Sequence, residues 1–108
     1  MTTTLTRGDK GFDLNFQVLQ NDGKTPVDIS TATVRFKMAL PGASENKIDA
    51  VCTVTEAGGP NGECKYTVQS GDLDTADSYV GELEVTFSED KVLTAKLGTI
   101  KVEEDLPE

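Results

Sequence analysis

The strongest constraint on this chain is the stretch Ser78 to Phe87, S-Y-V-G-E-L-E-V-T-F. Tyr79, Gly81, Leu83, Val85 and Phe87 fall on one side, and Ser78, Val80, Glu82, Glu84 and Thr86 on the other. A period of two held over a whole segment is the pattern of a β-strand with one face buried and one face wet. It is the cleanest alternation in the sequence, so this strand is expected in the middle of a sheet, with the rest of the chain supplying its partners.

Similar alternation recurs along the chain. Phe12, Leu14, Phe16 and Val18 share one phase, and Asn21-Asp22-Gly23 ends that strand with turn chemistry. Pro26 to Thr31 reads as a crossing segment anchored by Val27 and Ile29. Val34, Phe36 and Met38 mark the next strand, closed by Pro41-Gly42. Ile48 to Thr55 holds a short strand, with Cys52 and Val54 on one face. The loop Glu56 to Gly62 carries three glycines and a proline, and Glu63 to Gln69 is the return strand, with Cys64, Tyr66 and Val68 inward. Ser70 to Asp77 reads as a tight loop or short helical turn.

Parity sets the expected register of the last hairpin. Pairing Phe87 with Leu93 puts Val85 against Ala95 and Leu83 against Leu97, so apolar meets apolar. It leaves Glu89, Asp90 and Lys91 as a three-residue loop and sets Glu84 opposite Lys96 on the wet face. The inward phase changes beyond Leu97, to Ile100 and Val102, which predicts a bulge at Gly98.

No helix-period segment of useful length and no internal repeat is present. With 108 residues, the expectation is a single all-β domain, an immunoglobulin-like antiparallel β-sandwich of six to seven strands, with a small barrel as the alternative. Residues 1–6 form a Thr-rich N-terminal arm and residues 103–108 an acidic tail.

Charge and residue types narrow the function. Ten basic against 19 acidic residues give a net charge of -9. Such a surface repels phosphate backbones and anionic lipid, so neither nucleic acid nor membrane is an expected partner. No basic, apolar leader is seen, so synthesis in a cytoplasm with reduced cysteines is expected. There is no histidine, which removes Ser-His-Asp and Cys-His catalysis and the commonest zinc ligand. No catalytic residue and no cofactor is expected.

The remaining candidates each have two readings. Cys52 and Cys64 share an inward phase on neighbouring strands, fit either for a disulfide or for two buried thiols acting as small apolar groups. Asp72, Asp74 and Asp77 carry hard oxygens suited to calcium, but without the glycine turn and distal Glu of an EF-hand loop they read as a solvated acidic loop. Four Phe, two Tyr and no Trp, nearly all in inward phase, leave no aromatic platform for a sugar. Expected interaction surfaces are Thr2, Thr3, Thr4, Leu5 and Arg7 on the arm, Asp72 and Asp74 in the loop, and the outward row Glu82, Glu84 and Lys96. Free sheet edges offer strand addition as the docking mode.

Two segments carry a family resemblance. R-G-D-K-G-F-D-L-N-F (Arg7 to Phe16), followed by N-D-G-K-T-P-V-D-I-S-T-A-T-V-R-F-K (Asn21 to Lys37), resembles the N-terminal domain of the phage baseplate upper protein family. The matching residues are Gly8, Asp9, Asp22, Gly23, Pro26, Asp28, Ile29, Ala32, Thr33, Val34 and Phe36. Thr67 to Phe87 is similar to a further family pattern, with Asp77 where glycine is usual. The resemblance implies a β-sandwich that docks on other virion structural proteins in tail or baseplate, in multiple copies or as a homo-oligomer, and does no chemistry. A head decoration protein is the nearest rival, and a receptor- or glycan-binding module a more distant one.

Overall fold

The computed structural model describes residues 2–105, and these are all-β, in two sheets. Seven strands follow in order: β1 (Thr2–Thr6), β2 (Asp13–Gln17), β3 (Thr33–Ala39), β4 (Ile48–Val51), β5 (Glu63–Thr67), β6 (Asp77–Ser88) and β7 (Lys91–Glu103). The larger sheet has the order β1-β7-β6-β3-β4, and the smaller pairs β2 with β5. The Ser78–Phe87 alternation does lie at the centre of the large sheet. Tyr79, Leu83 and Val85 of β6 are buried, as are Val34, Phe36 and Met38 of the neighbouring β3. The small sheet adds Cys64 and Tyr66. Ring centroids step from Phe16 to Phe36 at 5.2 Å and on to Tyr66 at 5.5 Å, joining the two sheets.

Four expectations are corrected. The large sheet is mixed rather than antiparallel, because β1 runs parallel to β7, from Thr2 opposite Thr99 to Thr6 opposite Glu103. The Thr-rich arm is therefore an edge strand of its own domain. Met1 of that arm and residues 106–108 of the expected tail lie outside the described residues, while Glu103 belongs to β7.

Next, the short strand expected within Ile48 to Thr55 is β4, and it ends at Val51, before Cys52 and Val54. This strand pairs with β3. The chain then crosses to the small sheet, where Thr53 bridges Lys65. Cys52 marks the crossing: its N–H still bonds Val34 O in the large sheet, at 2.7 Å. The return strand β5 consequently takes β2 as its ladder partner.

The last hairpin is offset by two residues from the expected register. Val85 faces Leu93, Leu83 faces Ala95 and Ser88 faces Lys91. A tight turn at Glu89-Asp90 replaces the three-residue loop, and Phe87 bulges out of the ladder beneath the Lys91 ammonium, 4.8 Å from its ring centre. An offset of two keeps side-chain parity, so apolar residues still meet apolar ones. The outward partners change accordingly: Glu82, not Glu84, stands opposite Lys96. Further along, Gly81 faces Gly98 and the register steps at Leu97, beside a Gly98 in left-handed conformation at φ 79°.

Finally, the acidic loop is not wholly solvated, and the glycine loop is tied into the interior. Leu73, in the acidic loop, is 1% exposed. The glycine loop forms a 3-10 turn over Gly59–Asn61. Gly59 O accepts from Ile29 N at 2.9 Å, and Gly62 O accepts from Val18 N at 2.8 Å. Glycine is required at position 62: φ is 74°, and a Cβ there would sit 2.5 Å from Val18 O.

Candidate interaction surface

Any two-sheet domain has four sheet edges, and exposed edges offer unpaired N–H and C=O groups to other chains. Here two edges meet at one corner and are guarded. β4 is four residues long, carries Asp49 ion-paired to Arg35 at 2.9 Å, and ends where the chain crosses over. The outer edge of β5 is capped by that crossing, through reciprocal bonds between Thr53 and Lys65 at 2.7 and 2.9 Å.

The other two edges, β1 and β2, have no outer strand partner among the described residues. They flank a groove of about 260 Å³ lined by Thr3 and Leu5 of β1, Leu14, Asn15, Phe16 and Gln17 of β2, and Leu97 and Ile100 of β7. The lining is free of charged side chains in a chain with 29 of them. The groove exists because two small-sheet strands lie against five. Leu5, Leu14, Phe16, Leu93, Ala95 and Leu97 all point inward on this side, and all stay only half-buried.

Hydrogen bonds fix which backbone groups are free. Arg7 N donates to Glu103 O at 2.7 Å, so position 7 faces β7. Strand alternation then turns Thr3 and Leu5 toward β7, and the backbone groups of Thr2, Thr4 and Thr6 outward. On β2, Phe12 O accepts from Val68 N and Val18 N donates to Gly62 O, both toward the β5 side. The backbone groups of Asp13, Asn15 and Gln17 therefore face the open side.

The expected surface residues are distributed unevenly about this feature. Thr2, Thr3, Thr4 and Leu5 form the free edge itself. Arg7 follows β1 and is held by Glu104 at 3.1 Å and Asp105 at 2.9 Å. The Asp105 hydrogen bond, with Glu104 and Asp105 charge beside it, raises the Arg7 pKa, and the same contact lowers that of Asp105.

Asp72 and Asp74 are committed elsewhere. Asp72 accepts from the Tyr66 hydroxyl and, at 2.8 Å, from Gln69 N, which pins the loop onto β5. Burial, then Asp72, pushes the Tyr66 pKa up. Asp74 pairs with Lys47, whose hydrogen bond is the main reason its carboxyl is held below the ordinary range. Glu82, Glu84 and Lys96 lie on the outer face of the large sheet within a balanced ladder. Lys96 bonds Glu82 at 2.8 Å, Lys37 bonds Glu84 at 3.0 Å, and Arg35 bonds Asp49. Three cations meet three anions there, which makes a solvated face with its own partners.

Cys52 and Cys64 are free thiols, each 5% exposed. A hydrogen bond between them, followed by burial, raises the Cys52 thiol far above its ordinary range. Sequence reasoning missed the wall that β2 gives the groove. The half of the signal present in the sequence was Leu14 and Phe16; which strand they would lie beside was set by distant pairings.

No protein-family model matches this chain, and no curated protein matches it.

Proposed function

We propose that this chain is a non-enzymatic structural protein of a phage virion, a docking module of tail or baseplate built on an immunoglobulin-like sandwich. It is made in the host cytoplasm and assembled with other virion proteins. The observation that carries the reading is the unguarded β1 edge beside an uncharged apolar groove. A solitary soluble domain would ordinarily blunt such an edge with charge, proline or a bulge; Thr2–Thr6 contains none of these.

The residues behind the family resemblance support the fold side of the same reading, because they perform framework tasks. Asp22 accepts from Lys24 N, Thr25 N and the Thr25 hydroxyl. Asp28 accepts from Ser30 N and its hydroxyl. Ile29, Val34 and Phe36 are fully buried.

Antibody-gold labelling of purified particles of the encoding phage tests the proposal. Label on the tail or baseplate is the expected result. Label on the head would make the chain a capsid decoration protein, and its absence from particles would overturn both readings.

A further inference from the structure

We propose that the partner at the β1 edge is a second copy of this chain, joined by antiparallel pairing of β1 with β1 across a two-fold axis through Thr4. The inference rests on the docking reading of this edge and names its occupant.

Three observations carry it. The first is register. The outward backbone groups belong to Thr2, Thr4 and Thr6. An antiparallel pair centred on Thr4 sets Thr4 against Thr4 of the other copy, and Thr2 against Thr6 in both directions. Every outward position then meets an outward position, as the closely bonded pairs of an antiparallel ladder require. A two-fold interface must be self-complementary, and this five-residue strand is so about its middle residue. Thr6 O also accepts the turn bond from Asp9 N at 3.2 Å, and its second lone pair is free for the ladder.

Charge is the second. Each copy carries -9, so two copies repel over most of their surface. β1 and the groove present Thr, Leu, Asn, Gln, Phe and Ile and no ionised side chain. A copy can approach there without stacking carboxylates. A strongly basic partner would instead be drawn to the acidic surfaces away from this groove.

Side-chain direction is the third. Thr3 and Leu5 point into the groove. The proposed pairing puts Leu5 of each copy beside Thr3 of the other on that same face. The two half-buried grooves become adjacent, and the two five-stranded sheets join into one of ten.

Light scattering on size-exclusion peaks of the full chain, loaded at about 0.1 mM, tests the proposal with two variants. Thr4→Pro removes an outward N–H at the centre of the new ladder and none that faces β7. Thr4→Lys sets two ammonium groups against each other across the axis. The expected result is a dimer for the wild type and, for both variants, monomers whose circular dichroism matches the wild type. Geometry is read separately with Thr4→Cys. Paired Cα atoms about 5.5 Å apart favour a disulfide-linked dimer on air oxidation, whereas Thr2→Cys, which faces Thr6, gives far less.

A monomeric wild type, or an oligomer that survives Thr4→Pro, overturns self-pairing. Neither result touches the virion reading, which is decided by the labelling of particles.

Discussion

Replacing Gly62 by alanine tests how the small sheet is held. Gly62 has φ of 74°, and its added Cβ would lie 2.5 Å from Val18 O, 2.9 Å from Val27 O and 3.3 Å from Val18 N. All three are backbone atoms, so no side-chain rotation relieves the overlap. Backing away stretches the bond from Val18 N to Gly62 O at 2.8 Å, which ties the end of β2 to the start of β5, and the bond from Val27 N to Val18 O at 2.9 Å, which ties the crossing segment to the end of β2. Left-handed backbone costs alanine about 1–2 kcal/mol, and overpacking of a rigid site about 1–3 kcal/mol more. Gly42 supplies the control: its φ is 77°, and its Cβ would meet nothing within 4 Å. Gly42→Ala therefore bears the backbone term alone. Urea unfolding of both variants should place Gly62→Ala about 1–3 kcal/mol below Gly42→Ala, a midpoint difference of roughly 1–2 M at ordinary slopes. If the two fall within about 0.5 kcal/mol of each other, the close approach at Gly62 is not what holds the junction together.

Acid should destabilise the fold through the turn after β2. Hydrogen bonds from the Thr25 hydroxyl and N–H and from Lys24 N hold the Asp22 pKa down at about 2, against an ordinary 3.8. A depressed folded pKa gives stability that is complete above the unfolded value and lost as pH falls through the folded one. Asp22→Asn should thus flatten the decline in melting temperature between about pH 4 and pH 2, while an equally steep decline in the variant would assign it to other carboxylates. Asp72→Ala strands the Tyr66 hydroxyl and releases Gln69 N; the loss of an acceptor for a half-buried donor should cost about 1–3 kcal/mol in chemical denaturation, and a neutral result would show that water replaces Asp72 freely.

Much of the core was readable because period-two burial leaves a direct trace. Tyr79, Leu83 and Val85, and Val34, Phe36 and Met38, alternate cleanly since each strand has neighbours on both edges and a core on one face. The misses have identifiable causes. The two-residue offset between β6 and β7 is invisible to parity, because offsets of zero and two bury the same side chains, and a bulge at Phe87 decides between them. Leu73 was hidden by its flanking aspartates, although a lone Leu in D-L-D was the available hint. T-T-T-L-T has no alternation to reveal its partner, so the parallel pairing of β1 with β7 had no local signature. For the same reason the sequence offered a Thr-rich arm and an apolar β2 separately. The groove appears only when residues 3–5, 14–17 and 97–100 are brought together by pairings that span the chain.

The side of β1 that is free can be tested without any partner. Proline within a strand is tolerated where its missing N–H faced outward and damaging where that N–H joined a ladder. The Arg7 N to Glu103 O bond turns the N–H groups of Thr3 and Leu5 toward β7 and that of Thr4 away. Thr3→Pro should then cost the ladder bond and its geometry, roughly 1–3 kcal/mol, while Thr4→Pro should cost well under about 1 kcal/mol of chain stability apart from any dimer contribution. Both are measured in urea at low protein concentration, where self-association does not enter. The opposite ranking would mean that Thr4 faces β7. The outward set would then be Thr3 and Leu5, the two-fold through Thr4 would place wide rather than close pairs at its centre, and the proposed interface would lose its register. The expected ranking leaves a strand whose outward backbone groups, apart from Thr6 O, have no partner among the described residues and whose side chains are uncharged, alongside apolar residues that two strands of cover do not bury.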